Sequence, residues 1–392
     1  MKYDFQTLVD RTEQGSKKWL LMREEKAPIA DGVAPLSVAD LDFPMAPELI
    51  EGLKKELDHF IMGYTVPTKR YYQAVQKWMK EQHNWEIDPE WLVTAPGVVP
   101  AISVFIQAFT NEGDGVIIFE PVYNPFRVSI EKNNRKVESV DLINCEGYYT
   151  IDFKKFEKVA AQSHTKALIF CSPHNPVGRV WHQDELEKLA EICAKYEITI
   201  FCDEIHSDLT HSDYLHIPFE KVSKTAAENV VLATAPSKTF NIAGLMTSNI
   251  FIPNPKMRET YRNMAEKLNL LTVPALGILA CQIAYEDCAD WKKEFVSLIE
   301  SNYHLAKSML EEALPQVIVT KMEASYLLWL DLSSFNLDEA SLNALLHEYD
   351  LFVTNGQVFS QHCNNFIRIH LALPQEVVES SINRLINALK SI

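Results

Sequence analysis

The sequence predicts an α/β fold, with a large domain on a mostly parallel sheet followed by a smaller C-terminal α/β domain. Three observations predict it. Short, near-continuous apolar runs recur at 116–119, 167–171, 198–202, 230–233 and 250–252, the pattern of strands covered on both faces. Between two of them, 184–196 carries Leu186, Leu189, Ile192, Cys193 and Tyr196 on one helical stripe. Finally, 392 residues exceed what one simple core supports. The expected division is an N-terminal segment, 1–45, associated with the small domain, then a large domain, 46–285, and a small domain, 286–392. A long helix from Trp291 onward is expected to bridge the two.

Taken in order, residues 1 to about 45 read as irregular. Pro47 then opens a helix whose apolar stripe is Leu49, Ile50, Leu53, Leu57, Phe60 and Ile61. Gly63-Tyr64 breaks it, and 71–80 reads as a second helix with Tyr71, Val75 and Trp78 on one face. Pro96-Gly97 marks a turn into an apolar helix entered near Val98 or Val99. Such a start leaves backbone N–H groups free for an anion, although many bind only water or a capping side chain. Beyond the strand-helix alternation, 258–270 and 274–285 read as helices. The tail supplies strands at 317–319, 326–331, 351–353 and 366–371, and a closing helix with Val378, Ile382, Leu385 and Leu389 on one stripe.

Composition narrows the class. Hydrophobic content of 47% and charged content of 23% are those of an ordinary globular protein. A net charge of −16 argues against general affinity for nucleic acid or anionic membrane. No apolar run approaches membrane-span length, and the N-terminal residues show no apolar leader. Seven cysteines are scattered with no C-x-x-C spacing that would suggest zinc or a redox pair. A cytoplasmic protein without a metal site is expected.

Chemistry gathers just past the strand ends. One strand is followed by Tyr123, a second by Asn175-Pro176, a third by Asp203-Glu-Ile-His206, and a fourth by Thr234-Ala-Pro-Ser-Lys238. Ligands of open α/β sheets bind outside the carboxyl ends of the strands. Singly, each residue has an ordinary reading: a packed aromatic, a turn, a helix cap, a loop lysine. Four at one edge point to a site. A lysine beside a core, with a lowered pKa, suits Schiff-base chemistry. In Phe366-Ile-Arg-Ile-His-Leu371, Arg368 shares a face with Phe366 and His370. It needs either an internal ion pair or a ligand carboxylate.

With these residues in place, the chain resembles fold-type I pyridoxal-phosphate enzymes of the aminotransferase class I/II superfamily. More narrowly, it is similar to the cystalysin and MalY/PatB group of cystathionine β-lyases and cysteine desulfhydrases. The resemblance spans nearly the whole chain. It is carried by the segments 35–43, 63–65, 95–101 and 121–126, by Cys171-Ser-Pro-His-Asn-Pro-Val-Gly-Arg-Val-Trp181, by Asp203-Glu-Ile-His-Ser-Asp-Leu209, and by Ala235-Pro-Ser-Lys-Thr-Phe-Asn-Ile-Ala-Gly244. It implies pyridoxal 5'-phosphate bound covalently to Lys238, which would also shuttle the substrate Cα proton. Asp203 would pair with the ring nitrogen, Tyr123 would stack on the ring, and Asn175 would bond its O3′ oxygen. The Asn175-Pro176 bond is often cis in such enzymes. Backbone N–H groups of Val98 and Val99 and the Ser237 hydroxyl would hold the phosphate, helped by Tyr64 from the second subunit of a homodimer with shared active sites. Arg368 would bind the substrate α-carboxylate. Many aminotransferases carry a hydroxyl residue where this chain has Ala235, an arginine where it has Met246 and a tyrosine where it has His206. His206 would therefore contact the cofactor or support Asp203.

The activity implied is a β-lyase that cleaves L-cystathionine- or L-cysteine-type amino acids to pyruvate, ammonia and a thiol. An aminotransferase shares the early steps, and a regulatory binding protein on the same fold is the third alternative.

Overall fold

The computed structural model describes residues 2–392. Thirteen strands follow in chain order: β1 (Leu92–Ala95), β2 (Gly115–Glu120), β3 (Lys136–Asp141), β4 (Ile143–Cys145), β5 (Tyr148–Thr150), β6 (Thr165–Cys171), β7 (Thr199–Asp203), β8 (Val230–Thr234), β9 (Ser248–Phe251), β10 (Ile318–Val319), β11 (Leu327–Asp331), β12 (Thr354–Asn355) and β13 (Phe366–His370). Seven form a sheet in the order β1-β9-β8-β7-β6-β2-β3. Only β9 runs against its neighbours; β8, β7, β6, β2 and β3 are parallel.

Period-two geometry explains why these strands are apolar throughout. In β8, Val230 and Leu232 enter one core while Val231 and Ala233 enter another on the opposite face. In β2, Ile117 and Phe119 face the first core, Val116 and Ile118 the second. The helix Val98–Phe109 covers the second face with Ala101, Ile102 and Phe105. The helix Gln183–Lys195 covers the first with Leu186 and Leu189.

The second sheet, β10-β11-β13-β12, is antiparallel and places Trp329 opposite Arg368. A 25-residue helix, Ala289–Ala313, reaches both parts. Its Trp291 ring lies 6.2 Å from Phe240 of the lysine loop, while Asn302 donates to the carbonyls of Leu371 and Leu373 past β13. The N-terminal segment is laid along the same parts. Phe5 packs on Phe43 and Trp291, Leu36 N–H donates to Phe352 O, and His370 N–H donates to Leu36 O. No helix among the described residues is long and apolar enough to cross a membrane.

Three expectations are corrected. Residues 1–45 are not irregular throughout, because Lys17–Glu25 is a helix that buries Trp19 and Met22. The helix opened by Pro47 ends at Leu57, so Phe60 and Ile61 do not continue its stripe, and Ile61 is exposed. Residues 351–353 are not a strand: Leu351 and Phe352 are buried, but the ladder with β13 begins at Thr354. The polar β3 and the hairpin β4-β5 carry no apolar run to announce them. β3 is the edge strand of the large sheet, where half-exposed residues suffice.

Candidate active site

The parallel strands end at the rim of a cavity of about 510 Å³. After β2 comes Tyr123, after β6 Asn175, at the tip of β7 Asp203 and then His206, and after β8 Ser237 and Lys238; all line it. So do Val98 and Val99 at the start of their helix, and Arg368 of β13. The sheet and topology thus bring together every site residue expected from sequence except Tyr64. Tyr64 lies elsewhere, fully exposed, in a segment where Ile61, Met62 and Val66 are exposed too.

The helix start is unusually open. Gly97, the residue before it, has φ +129°, a region that disfavours side chains, and no side chain caps the helix. Pro100 has no N–H, and Ala101 N–H already donates to Gly97 O. The N–H groups of Val98 and Val99 are left without helical partners, and Ser237 lines the same cavity.

Among the ionisable groups here, Asp203 and Arg368 are buried and Lys238 is half-buried, and none is in an ion pair. Asp203 accepts one hydrogen bond, from Ile205 N–H at 3.0 Å. Burial, opposed by that bond and by Lys238, raises its pKa to about 7. Lys238 opens onto the cavity with its amine 2.8 Å from the Ala39 carbonyl. Burial, then the nearby Arg368 charge, lowers it to about 8, while Asp40 and Asp203 pull the other way. Arg368 donates to Asn175 Oδ1 at 3.0 Å and Ser37 O at 2.9 Å, with the Phe359 ring 4.8 Å from its guanidinium. It meets no carboxylate among the described residues, its Nε is unpartnered, and burial lowers its pKa to about 10. Between the two readings of Arg368, the internal ion pair is therefore not what forms.

His206 settles differently from either expectation's simplest form. Its Nδ1 lies 3.3 Å from the Ser325 hydroxyl, no hydrogen bond joins it to Asp203, and burial lowers its pKa to about 3. It is a neutral ring on the cavity wall. Ala235 is buried and Met246 lines the cavity half-exposed, so neither adds a polar group. The Asn175-Pro176 bond is cis.

Residues 32–385 match the family described as aminotransferase class I and II. The chain belongs to that family. Among curated relatives, it is 37% identical to cystathionine beta-lyase PatB of Bacillus subtilis (strain 168), covering 91% of this chain and 92% of that protein. It is 30% identical to Protein MalY of Escherichia coli (strain K12) over the whole of both. Among solved structures, cystalysin from Treponema denticola, which contains a pyridoxal 5'-phosphate cofactor, superposes with TM-score 0.97 at 42% identity over all of both chains. The large sheet, flanking helices and small domain are those of a fold-type I enzyme.

Residues that support the cavity were not read from sequence. Asp208 accepts from Trp78 Nε1, His83 and the Thr239 hydroxyl, and so anchors the residue next to Lys238. Tyr326 donates to the same Ala39 carbonyl as Lys238. The spacing Asp203-Glu-Ile-His-Ser-Asp208 placed Asp208 in view, but its partners are 31 to 130 residues away. Ala39 acts through a backbone oxygen, which has no residue signature.

Proposed function

We propose that this enzyme is a pyridoxal 5'-phosphate-dependent carbon–sulfur β-lyase. It cleaves L-cystathionine- and L-cysteine-type substrates to pyruvate, ammonia and a thiol, homocysteine or hydrogen sulfide. The observation that carries this reading is that Lys238, Asp203 and Arg368 share one cavity without an ion-pair partner. A cationic ring nitrogen would complete Asp203, and a substrate carboxylate would complete Arg368. Names borne by the relatives, cystathionine beta-lyase and cystalysin, support the lyase over the aminotransferase.

The donor set fits the cofactor: an amine of lowered pKa, two free helix-start N–H groups with a hydroxyl beside them, and a buried carboxylate. When bound, pyridoxal phosphate supplies an electron sink for charge developing at the substrate Cα. Lys238, whose amine burial holds at a lowered pKa of about 8, would hold it covalently and would serve as the base for the Cα proton. The Ala39 carbonyl orients that amine. Asp203 would keep the ring nitrogen protonated, Tyr123 would form a wall against the ring, and the Val98 and Val99 N–H groups with Ser237 would hold the phosphate. Arg368 spends one donor on Asn175 Oδ1, which leaves the Asn175 amide NH₂ for the ring oxygen. Its remaining fork binds the α-carboxylate. His206, uncharged, lines the same cavity and would not compete for the ring proton.

Tyr64 completes the phosphate site from a second copy, which makes the working unit a homodimer. The exposed apolar residues around it support this. Seven free cysteines, six of them buried, fit a reducing compartment such as the cytoplasm.

The test mixes cofactor-loaded protein with L-cystathionine and no keto acid, and follows pyruvate and free thiol. Sustained turnover is expected. A single turnover, rescued by adding a keto acid, would make the enzyme an aminotransferase.

A further inference from the structure

A second cavity of about 180 Å³ lies against the first, and Asn124, Val358 and Phe359 line both. Phe359 links them directly: its ring lies under the Arg368 guanidinium and also borders the annex. At about 30 Å³ per water-sized group, the annex has room for about six such groups.

Its walls are polar and contain a charge pair. Arg127 donates through Nε to Glu120 Oε1 at 3.2 Å, and also through Nη2. Glu120 is buried and takes a third bond from the Ser360 hydroxyl at 3.1 Å. Arg127 remains about one-third exposed, and its Nη1 is only loosely approached by Glu131, 3.6 Å away. The fork therefore keeps unused N–H groups. Gln357 and Gln361 complete the rim with exposed amides.

The charges decide what such a space can take. A bare anion would meet a cation that Glu120 already neutralises. An alkyl tail would cover polar groups and give them no replacement for water. A zwitterion satisfies both signs: its carboxylate meets the free edge of Arg127, and its ammonium meets side-chain amide oxygens and the carboxylate field. Resting on the lyase reading above, we infer that the annex binds the distal α-amino-acid end of a β-thio substrate. The Arg127–Glu120 pair then selects long, zwitterionic thioethers such as L-cystathionine over S-alkyl cysteines. Arg368 holds one end of the substrate, the sulfur passes over Phe359, and the far end lies in the annex.

The experiment compares kcat/KM for L-cystathionine with that for S-butyl-L-cysteine, which keeps a four-carbon chain on sulfur but lacks the distal charges. Wild-type holoenzyme is expected to prefer L-cystathionine. Arg127→Gln is expected to lower that preference at least about tenfold, chiefly by raising the KM for L-cystathionine. Arg127→Lys keeps a cation beside Glu120, so the fold is protected if Arg127→Gln does not fold, yet it loses the fork and should also lower the preference. A preference within twofold of wild type in the variants that fold would overturn the annex and leave the lyase intact. Wild-type enzyme that releases thiol from S-butyl-L-cysteine but not from L-cystathionine would overturn it as well. Release from neither compound overturns the lyase reading, and the annex with it.

Discussion

Two of the charge clusters enclosed in this chain are treated in opposite ways. Beneath the N-terminal segment, Lys18 has no exposed side-chain surface and lies 2.7 Å from Asp42 and 2.8 Å from Asp40. Arg11 adds a second cation 3.0 Å from Asp40 and 3.4 Å from Asp42, and Trp19 Nε1 donates to Asp42. His370, neutral because burial holds its pKa well below the ordinary value, closes the group 3.2 Å from Lys18. Burial still raises the Asp42 pKa, with Lys18 opposing it. In the cavity, Asp203 and Arg368 are buried, Lys238 is half-buried, and none of them has such a partner. The first group is complete within the chain and fixes structure. The second has no such compensation, which is what marks it as the candidate functional site. The two adjoin: Lys18 also donates to Asp40 O, and Ala39 O, one residue away, receives Lys238.

The comparison breaks most sharply at Lys238. Lys238→Ala is expected to lose the yellow colour of covalently bound cofactor and at least about 10³-fold in turnover. Absorbance and pyruvate release measure both, and elimination near the wild-type rate would remove Lys238 as the base. Next is Lys18→Met, which leaves the buried Asp42 and the partly exposed Asp40 facing Arg11 alone. It should cost about 3–5 kcal/mol in denaturant unfolding. A loss below about 1 kcal/mol would mean that the N-terminal cluster is no better compensated than the cavity.

Asp203→Asn should act in the opposite direction on cofactor-free protein. A folded pKa of about 7 against the usual 3.8 means that the native state holds the proton more tightly. That contribution is full below pH 4 and disappears as pH rises through 7, amounting to at most about 4 kcal/mol. Asparagine removes the loss, so the variant should outlast wild type at pH 8 and not at pH 4. Thermal melts of the stripped proteins at the two values check this. Smallest is Tyr64→Ala: a lost hydrogen bond of about 1–1.5 kcal/mol should weaken cofactor retention about tenfold. Unchanged retention on dialysis would take Tyr64 out of the site.

The residues lining the cavity were legible because α/β geometry obliges a buried strand to be apolar on both faces and to stop where its chemistry starts. Tyr123, Asn175, Asp203 and Lys238 could be located from where the runs at 116–119, 167–171, 198–202 and 230–233 end. Edge elements were less legible. β3 needs no apolar run, and residues 351–353 bury side chains without pairing. Residues 60 and 61 kept a helical spacing after their helix had stopped.

By itself, the sequence determined the strand-helix alternation, the edge of the sheet that carries chemistry, and the residue types delivered there. Which charges are satisfied was decided only by tertiary structure. Lys18 meets Asp40 across 22 residues and His370 across 352, Arg127 turns to Glu120, and Arg368 turns to an amide and a carbonyl instead of a carboxylate. Pairing depends on distances of a few ångströms between chain segments that sequence order leaves far apart, and on burial that strengthens whichever contacts form.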